Sequence, residues 1–200
     1  MTDVYLTTPI TEEQVRNLKL GDSLYITGTV FLMRDEAHER ALEWAKEGKK
    51  LPLDIEGLAL YHCGPIVQKK EDEWEVISAG PTTSTRMELF EDHFIETYKI
   101  AVVIGKGGMG DRTIKAMKEH GAVFGAFTGG AGVLAAKAIK KVSGAHWLDL
   151  GTPEAFWVFE VERFGPLTVA IDANGNSLYK NVAGKVKEGK EKAYAHIGIK

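Results

Sequence analysis

The sequence predicts a single mixed α/β domain, and three observations carry that expectation. Residues 100–142 alternate short β-branched runs with helical patterns through two glycine loops. That order places parallel strands beneath covering helices. Residues 23–32 are rich in β-branched and aromatic side chains, which suit a pleated, half-buried surface. Residues 155–164 and 167–172 read as two further long strands, followed by Asp172-Ala173-Asn174-Gly175-Asn176, a strong hairpin turn. Two kinds of sheet, one parallel and one antiparallel, are therefore expected.

The elements follow in order. Residues 4–7 form a short strand that stops at Pro9, and Thr11-Glu12-Glu13-Gln14 fits a capping box that opens a brief helix. The strand over 23–32 has Gly28 as a bulge position. Asp35 is the expected N-cap of a helix over 36–47, with Ala37, Leu42, Trp44 and Ala45 on its apolar stripe and Gly48 at its end. Strands are expected over 55–62 and 74–79, joined through the charged turn 69–73. A helix over 84–98 leads into strand 100–104, helix 111–120, strand 122–127 and helix 131–142. The hairpin after Asp172 feeds a strand over 177–180, and the charged tail 185–192 reads as a solvated helix. No repeat, low-complexity linker or domain boundary divides residues 1–200.

Composition narrows the function. Two hundred residues with 44% hydrophobic and 26% charged content describe an ordinary globular chain with a sizeable core. The net charge of −3 gives no nucleic-acid footprint. Cys63 is the single cysteine, so disulfides within the chain are excluded, and a cytoplasmic setting is expected. One thiol cannot hold an iron–sulfur cluster or a structural zinc, so such a cofactor would come mostly from another chain. The first residues lack the pattern of a signal peptide, and no apolar run is long enough for a membrane span.

Against that neutral background, cations sit inside turns built from small residues. Gly105-Lys106-Gly107-Gly108-Met109-Gly110 lies between a predicted strand and a predicted helix. It matches G-x-G-x-x-G, but the next strand ends at Ala126-Phe127-Thr128 without the acidic residue that binds a ribose. A Walker loop fails too, because Lys106 precedes the glycines. Lys106 beside the N–H groups of a helix start suits a small anion, although a tight turn with a solvent-facing lysine is the plainer alternative. Gly80-Pro81-Thr82-Thr83-Ser84-Thr85-Arg86 supplies hydroxyls and a planar fork matched to a carboxylate. It equally suits a capped helix start with an exposed arginine. Arg34 and His38 lie one turn apart at another helix start, so both can face one pocket. Asp35 can instead pair with Arg34, leaving His38 an ordinary surface histidine.

Taken together, these residues resemble a known family. Leu6-Thr7-Thr8-Pro9-Ile10, Tyr25-Ile26-Thr27-Gly28-Thr29, Arg34-Asp35 with His38, Gly64-Pro65-Ile66-Val67 and Gly80-Pro81-Thr82-Thr83-Ser84 with Arg86-Met87 carry the likeness. It continues through residues 105–110, Gly129-Gly130-Ala131, residues 149–155 and Phe164-Gly165-Pro166 to Asp172. The chain is similar to the β subunit of two-subunit class I hydro-lyases, the iron–sulfur fumarate hydratases and L(+)-tartrate dehydratases. The resemblance implies a three-layer β/β/α swivelling domain that covers a 4Fe–4S cluster held by an α subunit, in an α2β2 or similar assembly. It implies that Arg34, Thr82, Arg86 and Lys106 contact a dicarboxylate, with Thr82 as the base for a carbon-bound proton. It also implies an active-site role for His38. Met33 departs from relatives that carry a polar residue or cysteine before Arg-Asp. The expected reaction is (S)-malate to fumarate plus water, with L(+)-tartrate to oxaloacetate as the alternative within the family. A nucleotide-binding module built on residues 105–110 is the distant alternative.

Overall fold

A computed structural model describes residues 2–71 and 73–198. The chain runs β1 (Asp3–Thr7), α1 (Glu12–Arg16), β2 (Ser23–Leu32), α2 (Asp35–Lys46), β3 (Ala59–Tyr61), β4 (Ile66–Lys70) and β5 (Glu73–Ser78). A 3-10 turn (Ser84–Leu89) leads to α3 (Glu91–Tyr98), β6 (Val102–Gly105), α4 (Asp111–His120), β7 (Val123–Ala126) and α5 (Gly132–Ala138). The chain then continues through β8 (Ile139–His146), a second 3-10 turn (Leu148–Leu150), β9 (Phe156–Ile171) and α6 (Leu178–His196). It is a mixed α/β fold with two sheets.

The main sheet has the order β1-β2-β3-β6-β7-β9-β8, while β4 and β5 form a separate antiparallel pair. Strands β1, β2, β3, β6 and β7 are parallel. Strand β9 runs against them and pairs with β2 as well as with β7 and β8. At Thr168 it lies between Ser23 of β2 and Ala126 of β7, so the sheet closes on itself there. Towards Phe156, β8 takes the place of β7 beside it. Closure removes sheet edges that would otherwise present unpaired N–H and C=O groups.

Alternation along the strands builds two cores, because successive side chains point to opposite faces. Leu24, Ile26, Val30 and Leu32 of β2, Tyr61 of β3, Val102 and Ile104 of β6, and Trp157, Phe159 and Val161 of β9 fill one. Phe31, Leu60, Val103, Phe124, Phe156 and Val158 face the other. Phe94 and Ile95 of α3, Ile114 and Met117 of α4, and Ala37 and Ala41 of α2 cover that second face. Helices on one face and the curled sheet with the β4–β5 hairpin on the other are compatible with a β/β/α layering.

Several predicted elements change. Strand β4 was hidden in the charged stretch after Pro65, because its side chains are almost all exposed or half-exposed. The predicted turn 69–73 includes residue 72, which lies outside the described residues. The single helix expected over 84–98 is split, with Phe90 as the joint. The helix over 131–142 stops at Ala138, since Ile139 and Val142 pair with Val161 and Phe159 of β9. The two strands after residue 155 are one long strand. After the Asp172 turn only Ser177 bridges back to Ile171, and the expected strand over 177–180 is instead the start of α6. The capping box at Thr11 and the bulge at Gly28, with φ of 104°, are present.

Among the described residues, no helix is long and apolar enough to cross a membrane. Phe159 is fully packed between sheet faces, at 1% exposure. Truncation of such an aromatic leaves a cavity as well as lost transfer energy, so Phe159→Ala is expected to destabilise the fold by about 3–5 kcal/mol. Equilibrium unfolding in urea measures it.

Candidate active site at the carboxyl ends of the parallel strands

The carboxyl ends of β2, β3, β6 and β7 lie side by side, the edge at which ligands bind in parallel α/β sheets, open or closed. Each strand delivers one part of the site. Strand β2 ends at Leu32, and Arg34 follows as the N-cap of α2. Strand β3 leads into His62, Cys63 and Gly64, β6 into Lys106, and β7 into Thr128-Gly129-Gly130.

The Gly80–Arg86 segment is laid across the middle of this edge. Thr82 N–H donates to His62 O at 2.7 Å, Lys106 N–H donates to Thr82 O at 3.3 Å, and Ser84 N–H donates to Lys106 O at 2.8 Å. Thr83 and Lys106 form a parallel bridge. Thr82 and Lys106 are thereby neighbours by backbone pairing, both half-buried. A Cβ added at Gly129 would stand 3.7 Å from Lys106 Nζ, so the loop after β7 lies beside that ammonium.

The two arginines are held differently. Arg34 Nη2 pairs with Glu154 Oε1 at 3.0 Å, with the side chains 19% and 18% exposed. Glu154 Oε2 also accepts from Glu36 N–H at 3.3 Å. Glu154 thus supplies the acceptor at the start of α2 that was expected of Asp35. A Cβ at Gly64 would come within 2.9 Å of Arg34 Nη1 and 2.8 Å of Pro153 O, so only glycine lets these segments meet. Asp35 turns instead to Arg86, whose Nη2 donates to its Oδ2 at 2.7 Å. That pair is more open, at 52% and 26% exposure. It ties the Thr82–Arg86 turn to the Arg34 turn. Arg34, Thr82, Arg86 and Lys106 therefore meet at one edge of the sheet.

His38 does not join them. It is fully buried, and its Nδ1–H donates to Arg34 O at 2.8 Å. Its ring packs on Phe94, at 4.7 Å between centroids. A polar cluster missed in the sequence surrounds it. His62 and Glu91 are fully buried, and His62 Nε2 lies 2.9 Å from Glu91 Oε2. His62 Nδ1 lies 2.9 Å from Ser84 Oγ. Burial opposes the charge on Glu91, but the neighbouring imidazoles outweigh burial, with His62 donating to its Oε2, and hold its carboxyl below the usual carboxylate range. Burial also lowers the His62 pKa, against the raising effect of Glu91, so His62 stays neutral. The sequence signal was a histidine and a glutamate at core-facing positions of apolar elements.

The glycine loop after β6 answers the dinucleotide question. Gly110 N–H donates to Glu88 Oε2 at 2.7 Å, and Thr113 gives the same carboxylate its hydroxyl at 2.8 Å. The chain's own Glu88 carboxylate thus occupies the start of α4, where a phosphate would otherwise sit. Cys63 is buried, and burial pushes its thiol up to about 12 although Arg34 pulls the other way. A lone protonated thiol does not fit the ligand set of an iron–sulfur cluster, which needs several thiolates.

The buried cluster predicts a pH dependence. In the unfolded chain His62 takes up a proton below a pH of about 6.5, and burial lowers that value in the folded chain. The Glu91 carboxyl is likewise held below its unfolded value. Both effects act in one direction: stability is present above the unfolded pKa values and is lost as pH falls. Urea unfolding between pH 7.5 and 5.5 should show stability falling with pH, with the His62 proton contributing at most about 1.4 kcal/mol per pH unit. His62→Gln should flatten that slope, and an unchanged slope would contradict the assignment.

Comparisons with known proteins place the chain among relatives along most of its length. Residues 1–182 match the family described as Fumarase C-terminus. The chain is 45% identical to the L(+)-tartrate dehydratase β subunit of Escherichia coli K12, over 86% of this chain and 85% of that one. It is 43% identical to the Methanocaldococcus jannaschii protein named "Putative L(+)-tartrate dehydratase subunit beta", over 92% and 95%. It is also 41% identical to a Geobacillus stearothermophilus protein named "Putative fumarate hydratase class I", over 90% of this chain but 34% of that longer one. With a family match over residues 1–182 and relatives of this identity along most of its length, the chain belongs to the Fumarase C-terminus family.

Proposed function

We propose that this chain is the β subunit of a hydro-lyase that interconverts (S)-malate with fumarate and water, working with an α subunit that carries a 4Fe–4S cluster. The observation that carries the proposal is the convergence of Arg34, Thr82, Arg86 and Lys106 at one sheet edge. A dicarboxylate needs two cationic holds, and Arg34 and Arg86 offer planar forks for them. Lys106 adds a point charge beside Thr82, where negative charge develops as the proton leaves carbon. Thr82 is the proton-transfer residue in this scheme. Its hydroxyl is a weak acid, so neighbouring cations must favour its alkoxide or a water must relay the proton. His38, being buried, acts from behind the site by holding the Arg34 turn.

The remaining requirement is a Lewis acid for the departing hydroxyl. The chain's own residues do not fit a cluster, which supports placing it on a partner in an α2β2 or similar assembly in the cytoplasm. L(+)-tartrate dehydration to oxaloacetate is the second candidate reaction. It is favoured by relatives of that name that match over 85% and 95% of their own length.

Anaerobic reconstitution with the α subunit, followed by assays of malate and tartrate dehydration, tests the proposal. Turnover by the isolated chain would refute the two-subunit scheme. Arg86→Lys keeps the charge but loses the bidentate fork, so assembly should persist while kcat/KM falls about tenfold or more. Thr82→Ala should lower kcat by about 10²–10⁴-fold with KM nearly unchanged, the signature of lost proton transfer. A joint loss of affinity and rate would instead make Thr82 a binding residue.

A further inference from the structure

Beneath these four residues lies a closed polar chain that the proposed chemistry does not use directly. Ser84, His62, Glu91 and His38 have no exposed surface. The direction of each hydrogen bond follows from what the groups can do. The ionised Glu91 carboxylate only accepts, so His62 Nε2 carries the proton at their 2.9 Å contact. Neutral His62 then has a bare Nδ1, which accepts from the Ser84 hydroxyl at 2.9 Å. His38 Nε2 stands 3.5 Å from the same Glu91 oxygen, Oε2, beyond hydrogen-bond reach. The other His38 nitrogen donates to the Arg34 carbonyl. Hydrogen bonds therefore run from the Ser84 turn through His62 to Glu91, and His38, packed beside that carboxylate, is tied separately to the Arg34 turn.

We propose that Ser84, His62 and Glu91 are positioning residues that set the Thr82–Arg86 turn relative to Arg34, so that both carboxylates of the substrate can be held at once. The role rests on the dicarboxylate function argued above. Ser84 lies midway between Thr82 and Arg86, so fixing its side chain limits both neighbours. Its backbone is fixed as well, by the N–H bond to Lys106 O. Gly105 makes the contact feasible, because a Cβ there would collide with Ser84 Oγ and come within 3.4 Å of His62 Nδ1. His38 meets His62 edge-on with centroids 5.4 Å apart, so the two rings pack directly against each other.

The test is steady-state kinetics on the reconstituted two-subunit enzyme, normalised to assembled complex, for Ser84→Ala, His62→Leu and His62→Gln. Misplacement by about 1 Å can cost on the order of 10² in rate, so Ser84→Ala and His62→Leu should lower kcat/KM roughly 10- to 100-fold with KM raised. A carboxamide offers one acceptor and one donor at the imidazole's spacing, so His62→Gln should recover most of the loss. A purely structural role would lower the yield of complex and leave its KM untouched. Unchanged kcat/KM in assembled Ser84→Ala, or no advantage of His62→Gln over His62→Leu, overturns the proposal.

Nitrogen-15 NMR of the full chain tests the clamp without any activity, and so separates its failure from failure of the proposed reaction. His62 should show a protonated Nε2 and a bare Nδ1, and Ser84→Ala should shift the Thr82 and Arg86 amides. Amides that stay in place overturn the clamp. The ligand atoms of His38, His62 and Glu91 also lie within 4.8 Å of one another. A stoichiometric metal in the purified chain that is lost in Glu91→Gln would overturn the hydrogen-bonded assignment too.

Discussion

One buried carboxylate sets the terms for the site. Glu91 has no exposed surface, and an ion taken out of water costs several kcal/mol unless donors meet it. Helix α3 can carry Glu91 inward only because His62 waits at the end of β3 to donate to it. Meeting that need fixes the imidazole, and the fixed imidazole leaves its second nitrogen for Ser84. Ser84 in turn lies on the backbone of Lys106, between the ends of β3 and β6. The closed sheet brings four strand ends together, but it does not by itself determine how the turns above them sit. The demand of a single buried charge for partners does that.

Much of this architecture is legible in local sequence, and the losses share a physical cause. Strands with strong apolar alternation, such as β2, and the capping box at Thr11 depend on nearby residues and could be read directly. Strand β8 could not, because Ile139 and Val142 are equally at home on a helix, and only pairing with β9 makes them a strand. Strand β4 carries exposed charge and gains its identity from β5 alone. The site divides in the same way. Arg34, Thr82, Arg86 and Lys106 stand out as cations and hydroxyls among small residues in turns. Glu91, Glu88 and Glu154 look like ordinary solvated acids until tertiary structure places them. Each then turns out to serve a partner far along the chain: His62, the start of α4, and Arg34. The placement of His38 was hidden for the complementary reason. Helical spacing puts it one turn from Arg34, but the packing of α2 on α3 turns its ring inward onto Phe94.

The same acids explain how two arginines of one site can behave differently. Arg34 is mostly covered, and its partner Glu154 also accepts from the start of α2. Releasing Arg34 would disturb the helix start as well as an ion pair shielded from water. Arg86 and Asp35 form a pair exposed by half and by a quarter, and such surface pairs contribute only about 0–1 kcal/mol. Arg86 can therefore exchange Asp35 for a substrate carboxylate at almost no cost, while Arg34 stays where the fold holds it. On the proposed function, one end of the dicarboxylate meets a fixed fork and the other an adjustable one. Asp35 is then the residue that keeps the adjustable fork pointed at the site between turnovers.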